Sequence, residues 1–122
     1  MTRAPNKHLD QSTSNLAIAL RARETLCHEE NWCTGYRYLN DRMCLTGHIL
    51  KALGARTRAH EVNDPSERNF VYNEEQTNKL ATIVHSLGFA CTESAERYND
   101  SNGVHGEVLD RYDEGLKNWK DE

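Results

Sequence analysis

The sequence predicts an all-α fold, a small bundle of four to five helices with a short hairpin-like insert between the first two. Three observations predict it. Apolar residues recur at helical spacing in several stretches, capping side chains stand just before those stretches, and Gly54 and Gly88 stand just after two of them. At 122 residues the chain has the length of one domain. Residues 1–122 are therefore read as a single helical domain.

Residues 1–12 are polar, contain Pro5 and lack periodicity, so they predict a loose N-terminal arm. The first helix is expected to start at Ser12 to Ser14, which are good caps, and to run to about Glu30. Its inward stripe is read as Leu16, Ala19, Leu20, Leu26 and Cys27. Arg23 falls inside that stripe. It either snorkels at the edge or is buried with a partner, because an unpaired buried charge is costly.

The stretch from Trp32 to Met43 places Tyr36 and Tyr38 around Asn40-Asp41, which reads as a tight turn in a short hairpin or extended loop. A second helix follows from Met43 to Leu53, burying Leu45, Ile49, Ala52 and Leu53. Residues 55–71 are charged, contain Asn63-Asp64-Pro65 and read as a connecting loop. The third helix is capped by Asn73, carries Glu74 and Glu75 at its positive end, and buries Leu80, Ile83, Val84 and Leu87. A short helix over Phe89–Tyr98 is expected to end in the run Asn99-Asp100-Ser101-Asn102-Gly103, with Asn99-Asp100 read as a turn and cap for the last helix. The last helix runs from Val104 to Trp119 on a stripe of Val108, Tyr112, Leu116 and Trp119.

Composition limits the function classes. Apolar residues make up 37% and charged residues 28%, enough for a packed core without metal or disulfide. The formal net charge of −4, with no basic stripe, argues against nucleic acid as a partner. No run approaches the roughly 18 apolar residues of a membrane span. Met1 to Asp10 is not followed by the apolar core of a secretory signal. A cytoplasmic location follows as the expectation, and with it four cysteines, Cys27, Cys33, Cys44 and Cys91, held as thiols.

Trp32-x-x-Gly35, Cys44-x-x-Gly47 and the aromatic-Asn-Asp run Tyr98-Asn99-Asp100 form a pattern. From about Leu16 to Lys117 the chain resembles a small domain-of-unknown-function family of bacteria, notably actinobacteria, and their phages. His48 and Tyr98 stand where that family has a small residue and a tryptophan. The resemblance implies a helical single domain and a phage or mobile-element setting, and it supplies no activity. The shared residues read as structural: Trp32 as a core anchor, Gly35 and Gly47 for a turn and a close helix approach.

Two constellations could carry chemistry. Cys44 and His48, four apart on a helix, would share one flank with Lys51 beyond them. A thiol at a helix N-terminus has its thiolate favoured, and an imidazole could take its proton. Against this, cysteine is among the most buried residue types, and no orienting Asn or Asp stands at a recognisable spacing. Cys27, Cys33, Cys44 and His48, with His28 nearby, could supply a tetrahedral zinc site, but they lack the Cys-x2-Cys knuckle. No phosphate loop, nucleophile elbow or His-Glu-x-x-His occurs. His105 reads as a packed, hydrogen-bonded core histidine.

The balance favours a non-catalytic binding or accessory module acting through a protein partner or small ligand, with no cofactor. Trp32, Tyr36, Tyr38, Cys44, His48 and Lys51 are its candidate pocket or contact residues. The alternative is a metalloprotein or cysteine enzyme centred on Cys44 and His48.

Overall fold

The computed structural model describes residues 14–58, 62–64 and 69–119. The expected N-terminal arm, 1–12, lies outside them. Among the described residues five helices build the fold: α1 (Asn15–Leu26), α2 (Leu45–Ala52), α3 (Glu74–Ser86), α4 (Thr92–Asn102) and α5 (His105–Lys117). The all-α bundle expected from sequence is thus the observed architecture. None of the described helices is long and apolar enough to cross a membrane.

The Ser14 side chain accepts the Ala17 N–H and starts α1. The helix stops at Leu26, short of the expected Glu30, and Glu29–Asn31 forms a separate 3-10 turn. That break reorients the chain so that Trp32 enters the core and Asn31 offers its carbonyl to His48. The buried face of α1 is also rotated from the expected one. Ile18, Ala19, Ala22 and Leu26 are buried, whereas Leu16 is 38% exposed, Leu20 is 48% exposed and Cys27 is exposed. The reason is α5. Its Tyr112 hydroxyl reaches across to the Ala19 carbonyl at 2.7 Å, and such an approach needs alanine, not leucine, between the helices. Arg23 lies between the two expectations: partly exposed, it donates from Nε and Nη2 to both carboxylate oxygens of Asp113, at 2.6 and 3.0 Å.

The hairpin-like insert is present in its tightest form. Leu39 and Arg42 exchange backbone hydrogen bonds of 2.8 and 3.0 Å around Asn40 and Asp41. Both central residues have positive φ, 52° and 66°, the requirement of a two-residue hairpin turn that Asn and Asp tolerate best. Upstream, Trp32 and Met43 form a parallel bridge, with Met43 N–H on Asn31 O and Cys33 N–H on Met43 O. The insert is therefore tied at its neck and at its tip.

Residues 55–71 are more than the connecting loop expected. Arg56–Thr57 (β1) and Phe70–Val71 (β2) pair antiparallel, Arg56 opposite Val71 and Thr57 opposite Phe70. This pairing buries Thr57 and Phe70, and the Phe70 ring meets Tyr38 edge-on, centroids 6.1 Å apart.

The third helix follows its sequence signals. Asn73 and Gln76 form a reciprocal capping box, and Leu80, Ile83, Val84 and Leu87 enter the core. By contrast, α4 runs through Asn99 and Asp100, which do not form a turn, and ends at Gly103. One apolar cluster joins all five helices, with Tyr112, Ile18, Leu26, Leu45 and Ile49 among its fully buried side chains.

Candidate functional site

The pattern residues far apart in sequence converge on one place, where the insert meets the N-terminus of α2 and one face of α4. Asn99 is the hub. Fully buried, its Oδ1 accepts the Trp32 indole N–H at 2.7 Å and the Leu45 backbone N–H at 3.1 Å. Its Nδ2 donates to the Cys33 carbonyl and to Asp100 Oδ1, each at 3.1 Å. Asp100 Oδ1 also accepts the Gly35 N–H at 2.8 Å, holding the turn in which Gly35 takes φ +85°. One amide side chain thereby ties the insert, α2 and α4 together with its hydrogen-bonding capacity fully used.

One turn earlier on α4, Glu96 accepts from Arg37 Nε and, at 2.8 Å, from the Thr46 hydroxyl. Arg37 also donates from Nη1 to the Tyr72 hydroxyl at 2.7 Å, its guanidinium 5.6 Å from that ring centroid. Burial works against the Arg37 charge, but the Glu96 carboxylate outweighs it and holds the guanidinium above its ordinary range. The backbone of Arg37 rests on α2: a Cβ on Gly47 would sit 2.0 Å from the Arg37 carbonyl oxygen. Backbone cannot swing aside as a side chain can. Gly47→Ala is therefore expected to cost about 2 kcal/mol of unfolding free energy in urea denaturation. Gly106→Ala, with open space at its Cβ, is the control.

Above this scaffold opens a cleft of about 460 Å³, walled by Gly35, Tyr36 and Arg37 from the insert, Cys44, Asn69, and Glu96 and Asp100 from α4. Tyr36 is 36% exposed, and the cleft carries one guanidinium and two carboxylates.

Comparison with protein-family models, with curated proteins and with solved structures finds no match to this chain.

The residues singled out from sequence separate into two groups. Trp32, Tyr36 and Cys44 belong to the cleft or its support. Tyr38 does not, because it is only 6% exposed, with its hydroxyl on Asp41 at 2.6 Å. Lys51 is exposed on α2 and does not line the cleft. His48 points the other way, buried against α1. Its Nε2 meets the Asn31 carbonyl at 3.0 Å and its Nδ1 the Thr25 hydroxyl at 2.8 Å. A carbonyl only accepts, so Nε2 carries the proton, and Nδ1 shares the single proton of the Thr25 hydroxyl with the Ala22 carbonyl, 3.1 Å from that hydroxyl.

The expected Cys44–His48 pair is thus not formed. Cys44 is the N-cap of α2, in extended conformation, so the spacing rule for two helical residues does not apply to it. Its sulfur lies 3.2 Å from the Thr46 hydroxyl. Burial pushes its thiol up, against the hydrogen bonds from Thr46 and Gly47, so desolvation overrides the helix terminus expected to favour a thiolate.

Nor are the zinc candidates gathered. Cys27 is exposed and bonds the Glu24 carbonyl, His28 is exposed near Glu30, and both His48 nitrogens are engaged. Among the described residues no three His, Cys, Asp or Glu side chains are grouped to hold a metal. Sequence reasoning missed Arg37, Thr46, Asn69 and Glu96. The available signal was Arg37 between two tyrosines and Glu96 one turn before Asn99-Asp100, an acidic face of a helix.

Proposed function

We propose that this chain is a non-catalytic binding module whose ligand, a small polar molecule, occupies the cleft between the insert and α4. The carrying observation is a recess of ligand size whose polar walls are held in place from behind. Its volume of about 460 Å³ falls within the range typical of small-molecule sites. Arg37, Glu96 and Asp100 are fixed by Tyr72, Thr46 and Gly35, so they meet a ligand preorganised. The mixture of one cation and two anions suits a ligand carrying both a donor-rich and an acceptor-rich group. The cysteine-enzyme alternative lacks support, because burial holds Cys44 as the thiol and its sulfur meets the Thr46 hydroxyl, with His48 turned away to Thr25 and Asn31.

The resemblance to the bacterial and phage family supports a phage or mobile-element setting for this module. A protein partner would engage the same place by inserting a polar side chain.

The test is a titration of the labelled protein with polar fragments, amino acids, nucleosides and sugars, read by amide chemical shifts. Shifts are expected at Gly35, Tyr36, Arg37, Asn69, Glu96 and Asp100. Tyr36→Ala should weaken the binding so found about tenfold, the effect of truncating one aromatic wall. Shifts confined to other surfaces, or stoichiometric zinc by elemental analysis, would overturn this reading.

A further inference from the structure

Two of the four cysteines, Cys33 and Cys44, directly follow the bridged residues Trp32 and Met43. The parallel bridge between Trp32 and Met43 sets the register, so the next pair along it is Cys33 and Cys44. Successive side chains in such a ladder alternate in direction. Trp32 and Met43 are buried in the core, so Cys33 and Cys44 turn to the opposite side, where Cys44 lines the cleft. The chain is still extended at Cys44, with φ −76° and ψ −179°, and the Cys33 N–H bond to the Met43 carbonyl at 3.2 Å keeps the two segments side by side up to this pair, beyond which the Asn99 amide stands between the Cys33 carbonyl and the Leu45 N–H. Neighbouring strands lie about 4.8 Å apart, inside the roughly 4.4–6.8 Å Cα separation that a disulfide spans. Each sulfur holds only a weak partner, Cys33 the Tyr36 carbonyl at 3.4 Å and Cys44 the Thr46 hydroxyl. The two thiols also feel each other: after burial, Cys44 is the next cause raising the Cys33 thiol, which is pushed up to about 12.

We infer that Cys33 and Cys44 form an oxidisable dithiol, which a small-molecule disulfide such as oxidised glutathione converts to an internal disulfide that locks the cleft loop. The half-buried Cys33 reacts first. Its thiolate attacks one sulfur of the oxidant, the oxidant's S–S bond breaks, and one thiolate leaves. The Cys44 thiolate then attacks the Cys33 sulfur and expels the second thiolate. The protein gives up two thiol protons and two electrons, and the oxidant ends as two thiols. Cys44, only 3% exposed, needs no access to solvent for this second, internal step. The bond would cross-link both ends of the segment that carries Tyr36 and Arg37, and so restrict the wall of the cleft. Because so little Cys33 is ionised near neutrality, capture should accelerate about tenfold per pH unit as the thiolate fraction grows.

The test uses the full chain with Cys27→Ser and Cys91→Ser, which removes the two exposed thiols. The native protein is incubated with oxidised glutathione, its remaining thiols are alkylated, and it is digested with trypsin. Arg37 and Arg42 lie between the two cysteines, so cleavage leaves them on separate peptides unless they are bonded. The expected result is a linked peptide pair without retained glutathione, formed by a protein with unchanged far-UV circular dichroism and slowed amide exchange at Tyr36 to Tyr38. Retained glutathione on Cys33, two alkylated cysteines, or linkage only in denaturant would each overturn the inference. None of these outcomes depends on what the cleft binds.

Discussion

Replacing Asn99 with leucine should lower the unfolding free energy by about 4 kcal/mol, the largest loss expected of any single polar residue in this protein. Leucine fills nearly the same space but offers no polar atom. Three groups lose their partner at once: the Trp32 indole N–H, the Leu45 N–H and the Cys33 carbonyl. A buried donor or acceptor left unpaired costs roughly 1–3 kcal/mol. The groups nearest the cleft regain water and lie at the low end of that range, while Trp32, buried against His105 at a ring distance of 5.4 Å, lies at the high end. Asn99→Asp separates the contributions. It keeps an acceptor for Trp32 and Leu45 but loses the donor to Cys33 and adds a charge beside Asp100, so about 2 kcal/mol is expected. Urea denaturation of the three proteins at neutral pH measures both values. A loss below about 1 kcal/mol for Asn99→Leu would mean that these partners find other bonds, and that Asn99 does not organise the site.

That hub was visible in the sequence and misread. Asn99-Asp100 attracts attention as a pair of turn-forming residues, and Gly103 a few positions later strengthens the reading. Helix propensity is a weak preference, however, and here three tertiary hydrogen bonds override it. The rotated face of α1 has a similar origin. Apolar size selected Leu16 and Leu20 beside Ala19, but Ala19, which carries the Tyr112 contact, is buried together with Ile18 and Ala22 instead.

What was legible is local chemistry. The cap at Asn73, the stops at Gly54 and Gly88, and the turn at Asn40-Asp41 each depend only on near neighbours in sequence. The candidate site was half legible for the same reason. Trp32, Gly35, Cys44 and Gly47 announce a tightly constrained insert. Arg37, Thr46 and Glu96 act only once that insert lies against α4, and no local rule encodes such an encounter. His48 was legible as an unusual residue, but its direction was not: a cysteine four residues away suggested a pair, whereas α1 and the 3-10 turn provide its partners.

His48 should make the protein lose stability as the pH falls from about 6.5 to about 4. Burial pushes its imidazole from the ordinary 6.5 down to about 4, against the favourable hydrogen bond to Asn31, with Lys51 and His105 disfavouring a further positive charge. Above pH about 6.5 neither the folded nor the unfolded chain holds this proton, and the contribution to stability is complete. As pH falls from there to about 4, the unfolded chain binds the proton and the folded chain does not, so stability drains away. Below about 4 both states are protonated and this group causes no further loss. Across the window the loss amounts to about 3 kcal/mol. Other groups titrate over the same range, so the informative quantity is the difference between the native protein and His48→Gln, which cannot titrate. The variant should be less stable at pH 7, because glutamine cannot satisfy both Thr25 and Asn31 in the imidazole's geometry. The gap between the two should close by about 3 kcal/mol as the pH is lowered to 4. Parallel stability curves from pH 7 to pH 4 would show that His48 accepts its proton in the folded state at an ordinary pH, and that the space between α1 and α2 is not closed to water.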